Sequence, residues 1–121
     1  MPTVLYVDDE PSMREAVSTW LKGKGIEVET ATDVASGKMA FQRRRYDGAF
    51  IDIWLGDGSG FELFAWLEEN QPAATRNVLF VTGDVVSAPA VKEITKLGKP
   101  TIAKPFDLEE LEKYVKKWTK K

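Results

Sequence analysis

There is no cysteine and no histidine among the 121 residues. Disulfides, thiol chemistry and a histidine general base are therefore excluded. The usual zinc ligand sets lose their sulfur and imidazole. A metal held by this chain has oxygen ligands, which selects a hard cation. Neither sign of charge is in large excess: 17 basic and 19 acidic residues leave a net −2. Bulk electrostatics gives no reason to expect nucleic acid or an anionic membrane as a partner. No apolar run approaches the ~20 residues of a membrane span, and no signal-like segment follows Met1. These absences predict a soluble cytoplasmic protein with no nucleic-acid and no membrane partner. What is present, a hydrophobic content of 43%, supports one core, and the length suits a single domain over 1–121.

Hydrophobic periodicity divides the chain into five strand-then-helix units. "TVLYV" (3–7), "GAFIDI" (48–53) and "VLFVT" (78–82) are short, apolar and rich in β-formers, as buried strands are. "IEVET" (26–30) alternates apolar and acidic residues, as an edge strand does. "TIA" (101–103) is a last short strand. Met13, Ala16, Val17, Trp20 and Leu21 share one face of a helix over 11–22, with Pro11 at its start and Gly23 and Gly25 at its end. Asp33 can cap a second helix running to about Arg45. Gly56, Gly58 and Gly60 mark a loop before a third helix, which stops ahead of Pro72. Pro89 fits the start of a short fourth helix carrying Ala90, Val91, Ile94 and Leu97. Asp107 and Glu110 have capping-box spacing at the start of a fifth. The alternation predicts an α/β domain with a parallel sheet. The basic run Arg43–Arg45 reads as a solvated helix end.

In an open parallel sheet the ligand site lies beyond the carboxyl ends of the strands. Those ends carry Asp8, Asp9 and Glu10, then Asp52, then Thr82, then Lys104. Each has a plain alternative: the acids can cap the first helix, Lys104 can merely pair with them, and Thr82 can be a turn residue. Asp52 is harder to dismiss, because its carboxylate starts from a buried strand and an ionised buried carboxylate needs partners. Clustered carboxylates raise one another's pKa unless a cation intervenes, and Mg2+ would relieve that repulsion. Asp52 is a carboxylate nucleophile able to take a phosphoryl group as an acyl phosphate. Lys104 and Thr82 are placed to bind phosphoryl oxygens, and Gly83 lets its loop approach and offers a backbone N–H.

In these motifs the sequence resembles the receiver domain of two-component response regulators. "YVDDE" resembles the family's acidic pair, "DIWLGDGSG" its phosphoacceptor segment, "VTGD" its switch-threonine segment and "AKPF" its lysine–proline segment. The resemblance implies a flavodoxin-like five-stranded parallel sheet, order 2-1-3-4-5, with helices on both faces. It implies Asp52 as phosphoacceptor, with a histidine kinase or histidine phosphotransfer protein supplying the phosphoryl group. It implies Mg2+ held by Asp9, Asp52 and the Trp54 backbone carbonyl, with Asp8 acting through water. It also implies a cis bond between Lys104 and Pro105.

There are departures. Gly56 stands where the family often has proline. Thr101 stands where it usually has Tyr or Phe, so output is expected from the Gly83–Ser87 loop and the start of the fourth helix instead. Trp54 and Asp84 are expected to flank the path of a hydrolytic water. The function expected is a phosphorylation-controlled binding module, not an enzyme. The alternatives are an aspartyl-phosphate phosphohydrolase, a flavin protein of the same fold, and a receiver-like domain that is never phosphorylated. The first typically has a second acid two residues after its nucleophile, where this chain has Trp54.

Overall fold

A computed structural model describes residues 1–83 and 88–120, and side chains outside 88–91. Asp84 and most of the Gly83–Ser87 loop lie outside the described residues, as do the side chains of Pro89, Ala90 and Val91. Five parallel strands form one sheet: β1 (Thr3–Val7), β2 (Glu27–Ala31), β3 (Gly48–Asp52), β6 (Val78–Thr82) and β7 (Thr101–Ala103). Between β3 and β6 lie two short strands, β4 (Trp54–Leu55) and β5 (Gly58–Ser59), which pair with each other as a separate two-stranded ribbon. The main sheet runs β2-β1-β3-β6-β7. Without the small ribbon this is the expected order 2-1-3-4-5. The ribbon itself and a 3-10 turn at Pro72–Asn77 were not among the expected elements.

Alternation along each strand decides which helices it meets. Val4, Tyr6, Val28, Phe50, Leu79 and Val81 point to one face, where they pack with Val17 and Leu21 of α1 (Pro11–Lys22) and Leu111 and Val115 of α5 (Leu108–Thr119). Leu5, Val7, Ala49, Ile51, Val78 and Phe80 point to the other. There they meet α2 (Val34–Arg43) and α3 (Gly60–Asn70), and Ile94 and Leu97 of α4 (Ala88–Leu97) pack against the same cluster. The central strands are buried on both faces, which is why they read as unbroken apolar runs.

Helix ends follow their sequence signals with two exceptions. Pro11 opens α1, and Gly25 (φ 81°) and Gly98 (φ 65°) adopt the left-handed conformation that suits a residue without Cβ just past a helix. Asp33 and Ser36 form a reciprocal capping box on α2. Asp107, by contrast, stands at the cap position of α5 without a side-chain cap bond; the Glu110 N–H goes to the Asp107 backbone carbonyl at 2.9 Å. The second exception is α2, which stops at Arg43. Arg44 leaves the helix and bridges Glu27 and Glu29 at 3.2 and 3.4 Å. Those acids lie two apart on β2 and so share a face, and Arg44 also stacks over Tyr46. It is an edge-strand clamp rather than a solvated helix end.

Candidate functional site

The strand register builds the site. Tyr6 lies opposite Phe50 and Val7 opposite Ile51, so the next step brings Asp8 alongside Asp52. The period of two places both carboxylates on the α1/α5 face, above Tyr6 and Phe50. On the other side of β3, Asp52 lies opposite Val81, and Thr82 lies opposite Ala103. Thr82 and Lys104 therefore arrive at the same edge as the acids. The Lys104 N–H donates to the Thr82 carbonyl at 2.7 Å, fixing the two strand ends together.

Asp8, Asp9 and Asp52 bring carboxylate oxygens within 4.8 Å of one another. Asp8 is fully buried and Asp52 is 5% exposed, whereas Asp9 faces solvent. The Lys104 ammonium sits among them, 2.9 Å from Asp8 Oδ2, Asp52 Oδ2 and Glu10 Oε1 alike. Tyr6 donates its hydroxyl to Asp8 Oδ2 at 2.7 Å, and the Glu10 N–H donates to Asp8 Oδ1 at 3.0 Å. Arg14 braces the same turn by donating to the Asp8 carbonyl at 2.8 Å. The Trp54 N–H donates to Asp52 Oδ1 at 3.1 Å. Glu10 is the cap residue of α1 but makes no side-chain cap bond, so helix capping does not explain this acid.

These surroundings separate the two buried carboxyls. Burial pushes Asp52 up to about 6; bonds from Lys104 and the Trp54 N–H oppose the rise, and the charge on Asp8 adds to it. Burial also acts on Asp8, but donation from Lys104, the Glu10 N–H and Tyr6 outweighs it and holds Asp8 below the usual carboxylate range. Lys104 pays for its partial burial, yet hydrogen bonds to Asp8, Asp52 and Glu10 raise it on balance. It is a fixed positive charge. An all-oxygen cluster that already holds an ammonium group, around an acid with a raised pKa, has the donor chemistry of a hard divalent cation site.

The expected residues do come together: Asp8, Asp9, Asp52, Thr82 and Lys104 share one edge. Thr82 is 4% exposed. Gly83 is exposed, and among the described residues a Cβ built there would meet Lys104 Cδ alone, at 3.9 Å, so none of them demands glycine at that position. Beside the site, packing does demand glycine at Gly60, where a Cβ would come within 2.4 Å of the Asp52 carbonyl oxygen and 2.8 Å of Ile51 Cγ2. Trp54 is 47% exposed beside the acids. Thr101, which stands where the resembled family usually has Tyr or Phe, has a buried hydroxyl with no hydrogen-bond partner among the described residues. The Lys104–Pro105 bond is cis.

Sequence reasoning missed two contributors. Tyr6 was legible, since it stands two residues before Asp8 on the same strand face. Asp57 was not: its carboxylate reaches the N-terminus of α2, 23 residues away in sequence, accepting from Val34 N–H at 2.8 Å and Ala35 N–H at 3.1 Å.

A family model described as the response regulator receiver domain matches residues 4–116. The probable transcriptional regulatory protein TcrX of Mycobacterium tuberculosis is 35% identical over 109 residues, covering 90% of this chain and 46% of TcrX. The photosynthetic apparatus regulatory protein RegA of Rhodobacter capsulatus is 29% identical, covering 90% of this chain and 58% of RegA. The chain thus spans about half the length of these relatives. Among solved structures, Vibrio cholerae chemotaxis protein CheY4 aligns with TM-score 0.82 at 33% identity, over 97% of this chain and 98% of that one. Thermotoga maritima TrrA, in complex with Mg2+-BeF, aligns with TM-score 0.82 at 26% identity, over 98% and 99%. With the fold, the acid cluster and these likenesses in agreement, the chain belongs to the response regulator receiver domain family.

Proposed function

We propose that Asp52 is the phosphoacceptor of a Mg2+-dependent phosphorylation switch, fed by a histidine kinase or a histidine phosphotransfer protein. The observation that carries this reading is the buried Asp52 carboxylate at a strand end, 2.9 Å from an ammonium group and clustered with two further acids. In the transfer an Asp52 carboxylate oxygen bonds to phosphorus as the bond from phosphorus to the donor nitrogen breaks. The product is an acyl phosphate, and the donor imidazole leaves. Asp9, Asp52 and the Trp54 backbone carbonyl would hold Mg2+, with Asp8 acting through water. The ion supplies charge neutralisation for the incoming oxygens.

This chain's own groups do the rest. Lys104 exchanges one carboxylate partner for a phosphoryl oxygen, keeping its charge throughout. The Thr82 hydroxyl and the Gly83 N–H take other phosphoryl oxygens. Tyr6 and the Glu10 N–H keep Asp8 ionised and fixed. TrrA, which is similar over nearly its whole length, takes Mg2+-BeF, and that supports the same chemistry here. The relatives' names as transcriptional regulators describe proteins about twice as long. For these 121 residues we propose control of a protein-binding surface, with any nucleic-acid contact made elsewhere in such proteins.

Intact mass after incubation with a small phosphodonor tests this. One phosphoryl group is expected with Mg2+, little without it and none in Asp52→Asn. Labelling that is unaffected by removing Mg2+ would overturn the metal's part in the proposal.

A further inference from the structure

We infer that Asp57 is a positioning residue that ties the metal-binding loop to the N-terminus of α2. The inference rests on the Mg2+ reading above. Its starting point is the ribbon that follows Asp52. Trp54 pairs with Ser59 and Leu55 with Gly58, leaving Gly56 and Asp57 as the connection at the tip. Gly56 and Gly58 flank the tip residue, and a Cβ at Gly56 would touch nothing within 4 Å among the described residues. Glycine on both sides gives the chain wide backbone freedom, so something else must hold the tip.

The base of the ribbon is fixed from within the sheet. The Ile53 N–H donates to the Val81 carbonyl at 2.9 Å, and the Gly60 N–H donates to the Ile53 carbonyl at 2.7 Å. Ser59 caps α3 by accepting from the Glu62 N–H at 3.3 Å. The tip is fixed from outside: both Asp57 oxygens accept from the first two N–H groups of α2. Those N–H groups have no partner within the helix, and an anionic acceptor is favoured there by the helix dipole. Asp33 and Ser36 already cap α2 from its own chain segment, bonding the Ser36 N–H at 2.8 Å. Asp33 thus serves the third N–H of α2, and Asp57 serves the first two from a distant loop. The same two bonds tie down that loop, whose Trp54 holds Asp52 Oδ1 by its N–H and is proposed to offer its carbonyl to the metal. Groups that orient a ligand without touching the ion commonly govern affinity as strongly as some ligands do.

The test is a Mg2+ titration followed through the Trp54 backbone amide by NMR, with thermal unfolding recorded in parallel without metal. In Asp57→Ala, Mg2+ affinity is expected to fall about tenfold. Asp57→Asn, which keeps one acceptor oxygen, should lie between the two and serves if the alanine variant does not fold. Asp33→Ala removes the helix's own cap without touching the loop and should leave Mg2+ affinity within about twofold of the parent. Unchanged affinity in Asp57→Ala, with Val34 and Ala35 amides shifted, would overturn the inference alone. An equal loss in Asp33→Ala would overturn it too, because general destabilisation would then explain the effect. No saturable Mg2+ binding by the parent would overturn the metal reading as well.

Discussion

Asp52 pays for its position. Burial lifts its carboxyl to about 6 from an ordinary 3.8, so the native state binds its proton more tightly than the unfolded chain does. The contribution of this group to stability is complete below about pH 4 and is lost as pH rises through about 6. Asp8 has the opposite sign: its depressed carboxyl contributes stability above the usual carboxylate range and loses it only in stronger acid. The two windows barely overlap. Asp52→Asn is therefore expected to stabilise the metal-free protein at pH 7.5 by on the order of 1–3 kcal/mol, and to change it little at pH 4. Urea unfolding at the two pH values checks this, and a destabilised variant at pH 7.5 would contradict it. At this scale the site was largely legible in the sequence. Asp8, Asp52, Thr82 and Lys104 stand where strands end, and a parallel sheet gathers strand ends. Asp57 and Arg44 were not, because each meets its partners across a long stretch of chain that no local pattern encodes.

The elements show the same division between local and distant causes. The α2 cap could be read from Asp33, since its partner Ser36 is three residues on. Ser36 side-chain and backbone donors hold the Asp33 carboxyl below its usual range. The charged form is thus favoured in the native state, and its stabilisation is full above the ordinary carboxylate range and lost as pH falls through the lowered value. Asp33→Ala should cost about 1 kcal/mol at neutral pH, with the deficit shrinking in acid; a constant deficit would count against the cap. The same reasoning fails at Asp107, where matching spacing gives no side-chain cap. Spacing brings two residues into range, but the backbone entering the helix decides whether the side chain turns back. The β4–β5 ribbon escaped notice because strands of two residues are too short to carry a periodicity. Its closing residue, Gly60, packs onto the backbone of Asp52. Gly60→Ala is expected to destabilise by about 1–3 kcal/mol, as overpacking does, and to weaken Mg2+ binding by displacing the Asp52 strand end. Calorimetry with and without Mg2+ measures both.

Across the whole molecule, one sheet separates two apolar layers and leaves its polar chemistry at one edge. The layers also reach the opposite edge: Trp118 of α5 packs on Phe50 with ring centres 5.0 Å apart and lies so close over Gly48 that a Cβ would enter its ring. The α/β class followed from the short apolar runs and their alternation with helices, because burial on both faces leaves a strong signal; the strand order followed from the receiver-domain resemblance. The Gly83–Ser87 loop, from which output is expected, lies largely outside the described residues. A cation that binds only the assembled acid edge stabilises the whole domain by mass action. Mg2+ at 100 times its Kd should raise the unfolding free energy by about 2.7 kcal/mol, and an unchanged unfolding midpoint would contradict that. The most direct test of the central claim is to locate the phosphoryl group. After phosphorylation with Mg2+, borohydride reduces an aspartyl phosphate to homoserine, and peptide mass spectrometry reads its position. The account predicts homoserine at position 52 and none in Asp52→Asn. Homoserine at position 8, 9 or 57 instead, or labelling that persists in Asp52→Asn, would contradict it.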